Sequence, residues 1–242
     1  MIIHRYGKPF VFSTSVLLGG LHLGNWMGSD ASFQVQKIEV QGCTYSQAEP
    51  IRAEAHELEG KSIFEADLSA IAARVEELPH VERARVTRVF PATIRITIDE
   101  RRAIALLNDG QLRPLDGTGH VLPRFQSVLK ADLPIVSGVT YSKENPGTEL
   151  AEGGIRLCEF IAALQAQQPV LYHQISEFHF GRKNDLTIFL LHRGVPVRLG
   201  HEGWLEKCDR LQAVLPQLSS QTAKTAAIDL RFENQVVTRA AI

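Results

Sequence analysis

The sequence is poor in the residues around which chemistry is usually organised. It has three cysteines, two tryptophans and four tyrosines, and its charges nearly cancel, with 26 Lys and Arg against 27 Asp and Glu. The cysteines, Cys43, Cys158 and Cys208, lack metal-ligand spacing, and an odd count gives no disulfide framework. Cys158 and Cys208 fall on apolar helical faces and are expected as small buried hydrophobes. A formal charge of -1 argues against a dedicated nucleic-acid binder, which needs a basic excess or stripe. There is no His-Glu-x-x-His, and no glycine-rich phosphate loop precedes a helix; "EGGIR" at 152–156 has the wrong spacing. His173 and His179 are expected to share a strand face, but they stand too far apart for a tight chelate. With nine histidines, Ser/His/Asp sets can be drawn arbitrarily. Asp109, Asp116 and Asp229 read as turn or strand-surface residues. The residues therefore predict no catalytic group, no cofactor, no metal and no small-molecule substrate.

What is present begins with an uncharged run. Between residues 10 and 27 there is no Asp, Glu, Lys or Arg, and a membrane span needs about 20 mostly apolar residues. Ser13, Thr14, Ser15, His22 and Asn25 dilute the run. His4, Arg5 and Lys8 before it would hold the N-terminus in the cytoplasm. Residues 1–9 are thus expected as a short cytoplasmic tail and 10–27 as a transmembrane helix, the alternatives being a signal peptide or a helix packed on a soluble core.

Residues 33–101 read as strand, helix, helix, strand, strand. In "FQVQKIEVQG", Phe33 and Val35 share one face and Ile38 and Val40 the other, a phase switch that suggests a bulge. Gly42 ends the run. Ser46 and Glu49 have capping-box spacing, ahead of Ala48, Ile51, Ala55 and Leu58 at helical intervals and a stop at Gly60. A second helix over about 66–78 has Leu68, Ile71, Val75 and Leu78 as its stripe, and Pro79 after it. From Val81 a strand runs to Phe90, and Pro91 turns the corner. Ile94, Ile96 and Ile98 then alternate with Thr93, Arg95, Thr97 and Asp99, the period of a half-buried strand. Two helices over three strands make a two-layer domain.

Residues 102–242 read as a second, mixed α/β unit. Asp109-Gly110 and Asp116-Gly117 are turn signals between short antiparallel strands. A helix is expected over 149–167, strands over 172–180, 185–191 and 195–199, and a helix over 202–218 with Leu205, Cys208, Leu211, Leu215 and Leu218 facing inward. A last strand, "AAIDLRFENQVVTR", has Ile228, Leu230 and Phe232 alternating with Asp229, Arg231 and Glu233.

The order and spacing of these pieces resemble the FtsQ/DivIB family of bacterial cell-division proteins. The likeness rests on "FQVQKIEVQG", "GKSIFEADLSAIAARVEELPHVERARVTRVFPATIRITIDERRAIALL", "LRPLDGTGHVL", "LPIVSG" and "AIDLRFENQVVTR", and spans about 33–240. It implies an α+β fold: a POTRA domain (β-α-α-β-β) at 33–101, then the family's "β domain" at 102–242 with a largely antiparallel sheet. It also implies a single-pass protein of the cell inner membrane, at the division septum, with its bulk in the periplasm. Such a protein is no enzyme; it is a scaffold that joins division proteins by binding an FtsB/FtsL-like pair. A POTRA-bearing transport or assembly factor would need repeated POTRA units or many membrane strands. An envelope hydrolase would need a catalytic constellation.

The resemblance further implies that the last strand offers its edge to a partner. The matching residues are Leu230, Arg231, Phe232, Glu233, Val236 and Val237, with Phe232 as an apolar anchor and Arg231 and Glu233 placed to meet partner charges. The alternative is a covered strand that completes the sheet. Arg83, Arg85, Arg88 and Arg95 form a conspicuous basic group. Glu76, Glu77, Glu82, Asp99 and Glu100 lie close in sequence, so cross-strand ion pairing on a solvated face is the plain reading. Recruitment through the POTRA surface is the other, and lipid headgroup contact a lesser one.

Overall fold

The computed structural model describes residues 31–221, 225–233 and 235–240. The expected tail and membrane helix lie outside them. Among the described residues, no helix is long and apolar enough to cross a membrane. The chain divides into two compact units at Glu100/Arg101.

The first unit comprises β1 (Lys37–Gln41), α1 (Ala48–Ala53), a 3-10 turn (His56–Leu58), α2 (Leu68–Glu76), β2 (Val81–Val89) and β3 (Thr93–Glu100). Its sheet has the order β1-β3-β2, with β1 parallel and β2 antiparallel to the central β3. The isoleucine alternation decides the layering. Ile94, Ile96 and Ile98 are buried against Ile51, Leu58, Ile71 and Val75, each such side chain contributing about 1.5–3 kcal/mol. Their neighbours Thr93, Arg95, Thr97 and Asp99 take the opposite face. Gly42 sits at φ +98°, and a Cβ there would lie 2.0 Å from the Ile98 carbonyl oxygen, so only glycine fits. The Asp67 carboxylate starts α2 by accepting the Ser69 and Ala70 amides.

Three expectations for this unit are corrected. The strand begins at Lys37, not Phe33. Residues 33–36 lie outside it, so Val35 and Ile38 both reach the core without a bulge. The Ser46/Glu49 capping box does not form. Gln47 holds the N-cap without a side-chain bond, because the Ser46 hydroxyl donates to Glu100. The helix expected to reach Gly60 stops at Ala53 and continues as the 3-10 turn.

The second unit comprises β4 (Ala103–Asn108), β5 (Leu112–Asp116), α3 (Gln126–Leu129), β6 (Ile135–Ser137), α4 (Glu152–Gln167), α5 (Pro169–Tyr172), β7 (Ile175–Phe180), β8 (Leu186–Leu190), β9 (Pro196–Gly200), α6 (Trp204–Gln221), β10 (Thr225–Asp229) and β11 (Val237–Ala240). The eight strands form one sheet in the order β11-β10-β9-β8-β7-β6-β4-β5. Hairpins β4/β5, β7/β8, β8/β9 and β10/β11 are antiparallel, while β4/β6, β6/β7 and β9/β10 are parallel. Leu157, Ile161 and Leu164 of α4 and Cys208 and Leu211 of α6 share one core with Val136, Phe178, Ile188, Val197 and Ile228 of the strands. Burial pushes the thiols of Cys158 and Cys208 up to about 12, so both behave as the expected inert hydrophobes.

Three further corrections concern this unit. The final run is not one strand: β10 ends at Asp229, and β11 begins at Val237 and returns antiparallel to β10. His173 caps the end of α5 and stacks edge-on against Tyr172, while His179 lies on β7, so the two do not share a strand. Asp116 does occupy a turn, but it is buried, with 4% of its surface exposed.

A candidate partner-binding edge

A sheet of eight strands has two edges, and an unpaired edge is a row of N–H and C=O groups that something must satisfy. At β5 the chain satisfies them itself. The Asp116 amide donates to the His120 carbonyl at 3.0 Å and the Leu122 amide to the Pro114 carbonyl at 2.8 Å. The buried Asp116 carboxylate fixes that return by accepting the Thr118 and His120 amides at 2.9 and 2.8 Å and the Arg101 guanidinium at 2.9 Å. At β11, among the described residues, no strand lies beyond, and no backbone bond is made outside the β10 ladder. Val237, Thr238 and Arg239 are exposed there.

The six residues expected at this edge fall into two sets. Leu230 is fully buried, and its amide closes onto Arg198 of β9. Val236 is half-buried against the same core. The Arg231 guanidinium is tied to Asp229 at 2.6 Å; this bond holds the Asp229 carboxyl below its usual range, against the opposing effect of burial. Phe232 is 51% exposed, Glu233 is exposed, and Val237, 43% exposed, opens β11. The Phe232 carbonyl accepts from Arg210, which fixes the chain at that residue. Beside it lies a polar groove of about 790 Å³ lined by Glu206, Lys207, Arg210, Arg231, Phe232 and Glu233. Sequence reasoning missed Thr238 and Arg239 of β11 as edge residues. The signal was the polar "FENQ" between two apolar runs, which reads as a hairpin connection.

The four arginines of the basic group do three different things. Arg88 faces the helices and donates to the carbonyls of Ile63, Phe64 and Ala66 at 2.7, 3.4 and 2.7 Å. Arg95 pairs across strands with Glu39 at 3.1 Å. Arg83 and Arg85 are exposed on β2 and make no ion pair among the described residues.

Among the described residues, no three His, Cys, Asp or Glu side chains are grouped to hold a metal. The nearest approach to a nucleophile is Ser137. Its hydroxyl donates to Glu177 at 2.5 Å and lies 2.8 Å from Nδ1 of His179. Among the described residues the imidazole has no carboxylate partner of its own, so the triad arrangement does not form there.

The fold and its edges define a class: a POTRA-like unit followed by a mixed sheet that closes one edge with its own chain. Comparison with known proteins agrees. The FtsQ-type POTRA domain matches residues 33–101, and the C-terminal domain of cell division protein FtsQ/DivIB matches 103–231. This chain therefore belongs to the FtsQ/DivIB family of cell-division proteins. It is 33% identical to cell division protein FtsQ of Rhodothermus marinus, over 86% of this chain and 78% of that one. It is 28% identical to that of Syntrophotalea carbinolica, over 89% and 77%, and 27% identical to that of a Geobacter species, over 94% and 85%. The domain match stops at Arg231, before β11.

Proposed function

We propose that this protein is a non-enzymatic scaffold of the division machinery. Residues 10–27 anchor it in the inner membrane, and it takes an extended segment of an FtsB/FtsL-like partner onto the outer side of β11. The observation that carries this reading is the asymmetry of the sheet. One edge is guarded by residues 120–122, while the other is exposed and bordered by an exposed Phe232. An added strand satisfies the backbone groups of β11, each hydrogen bond contributing about 0.5–1.5 kcal/mol net. Phe232 supplies apolar burial at the corner, and Arg231 and Glu233 select for charge. The exposed Arg83 and Arg85 of the first unit offer a second contact for other division proteins.

Amide hydrogen exchange on the full chain tests the edge. Saturation with a soluble FtsB/FtsL-like pair is expected to slow exchange at 237–240. Phe232→Glu is expected to weaken binding at least tenfold, about 1.4 kcal/mol, with an unchanged fold. Unaltered exchange at β11 under saturating partner would rule out strand addition there. Resistance of the full chain to carbonate extraction from membranes tests the anchor separately.

A further inference from the structure

The first unit carries a second exposed apolar feature, remote in sequence from β11. Phe33, Phe64 and Phe90 come from three separate segments, yet their rings stack in a row, with centroids 5.5 and 5.6 Å apart. Phe64 is 40% exposed and Phe90 59% exposed. All three stand at one pole of the three-stranded sheet. Phe90 opens the β2–β3 turn, where the Ala92 carbonyl accepts the amides that begin β1. The Phe33 carbonyl accepts the Ile63 amide, which brings the 61–65 loop to the same pole.

Where the chain reaches this pole decides what covers it. Phe33 lies six residues after Met27, the end of the expected membrane helix, and six residues span at most about 20 Å. The headgroup zone on each side of a bilayer is roughly 5–8 Å deep. A unit tethered this closely cannot keep its pole far from the lipid surface. Phenylalanine on an exposed apolar face gains by burial about 5–10 Å into the headgroup and acyl boundary. Charge does not set the contact: Lys61 and Glu65, both exposed, flank Phe64 with opposite signs, and the Arg88 guanidinium is occupied by the carbonyls beneath the ring.

We propose that Phe33, Phe64 and Phe90 form a lipid-contacting tip that seats the first unit on the headgroup zone of the membrane. The tip fixes the long axis of β2 and β3 relative to the bilayer, with the β2–β3 turn down. It rests on the anchoring of residues 10–27 proposed above, and is independent of β11.

The test uses the full chain in phosphatidylcholine nanodiscs, with photoreactive benzoylphenylalanine at position 90. The control places it at Glu82, also exposed, eight residues up the strand and so about 26 Å from the tip. A lipid adduct at 90 is expected at about ten times the yield at 82 or more, given that separation, and unchanged by adding anionic lipid. Phe64→Ser is expected to reduce the adduct several-fold while leaving the melting curve in place. An adduct mapped to residues 1–30 means the rings are covered by their own chain, and overturns the proposal. So does a chain retained in the disc without adduct, or an adduct confined to anionic discs. A chain not retained at all removes the anchoring reading and this proposal with it.

Discussion

The two sheets handle their edges in opposite ways. In the first unit, β2 is a nine-residue outer strand, long enough to recruit a partner by itself. It is blunted instead. The Ala84 amide is taken by the Glu76 carboxylate at 2.8 Å, the register shifts between Val81 and Arg83, and Arg83 and Arg85 stand exposed along it. On the other side, β1 is short, and Arg52 of α1 reaches the Ile38 carbonyl. In the second unit β5 is closed by the returning 116–122 segment, while β11 is exposed. Charge and capping on an outer strand are devices against unwanted pairing. Three of the four edges carry a guard and one carries an exposed phenylalanine. That contrast, rather than the count of arginines, separates a surface kept solvated from one left available.

The largest effect is expected where a guard is also a buried ion pair. Asp116→Ala removes the acceptor of two amides and leaves the Arg101 guanidinium, whose side chain is 17% exposed, without its carboxylate. Breaking a buried pair from one side costs about 3–5 kcal/mol. Urea unfolding should show that loss in the second unit, and exchange at 112–116 should quicken as the β5 edge opens. If stability falls without faster exchange at β5, the carboxylate serves the turn and not the edge.

Next comes Arg88→Ala. Three carbonyls lose a charged donor, and bonds of that kind are worth about 1.5–3 kcal/mol. A loss of about 2 kcal/mol in the first unit is expected by thermal melting. A melting temperature equal to wild type would return Arg88 to the surface group with Arg83 and Arg85.

Glu100 gives a smaller, pH-dependent effect. Its carboxylate accepts the amides of Thr44, Tyr45 and Ser46, each at 2.9 Å, together with the Ser46 hydroxyl. Burial opposes ionisation, but these bonds outweigh it and hold the pKa below its ordinary 4.5. A lowered folded pKa means the stabilisation is complete above about pH 4.5, the unfolded value, and is lost as pH falls through the folded one. Glu100→Gln should cost about 1–2 kcal/mol at pH 7 and flatten the acid side of the stability curve. An acid limb of unchanged slope would assign it to other carboxylates.

Much of this was legible in the sequence, and the failures have common causes. Ile94, Ile96 and Ile98 announced a half-buried strand, because period two leaves no other way to hide three isoleucines. The helical stripe of α2 and the turn at Asp109-Gly110 were equally plain. What sequence could not supply was partnership over distance. Ser46 looked like a helix cap, but its hydroxyl is claimed by Glu100, 54 residues away. The alternation along β2 sets Arg88 on the face opposite Arg83 and Arg85, but it could not show that the carbonyls of residues 63, 64 and 66, more than 20 positions away, claim its guanidinium. At the proposed site, the family's motif pointed to 230–237, yet alternation alone could not say that the run folds into a hairpin. Leu230, Phe232 and their neighbours therefore have unlike environments, and the exposed ladder belongs to β11.

The smallest effect sharpens the comparison most. Arg83→Ala with Arg85→Ala removes two exposed side chains that make no ion pair among the described residues, so stability should shift by less than about 0.5 kcal/mol. The consequence should appear in association instead. With the charges gone, β2 keeps only the Glu76 cap and the register shift against edge-to-edge pairing. The double variant is then expected to self-associate at concentrations where wild type scatters light as a monomer would, while Val237→Lys at β11 leaves that scattering unchanged. A double variant as monodisperse as wild type would mean that the cap and the shift suffice, and that the arginines are free for a partner.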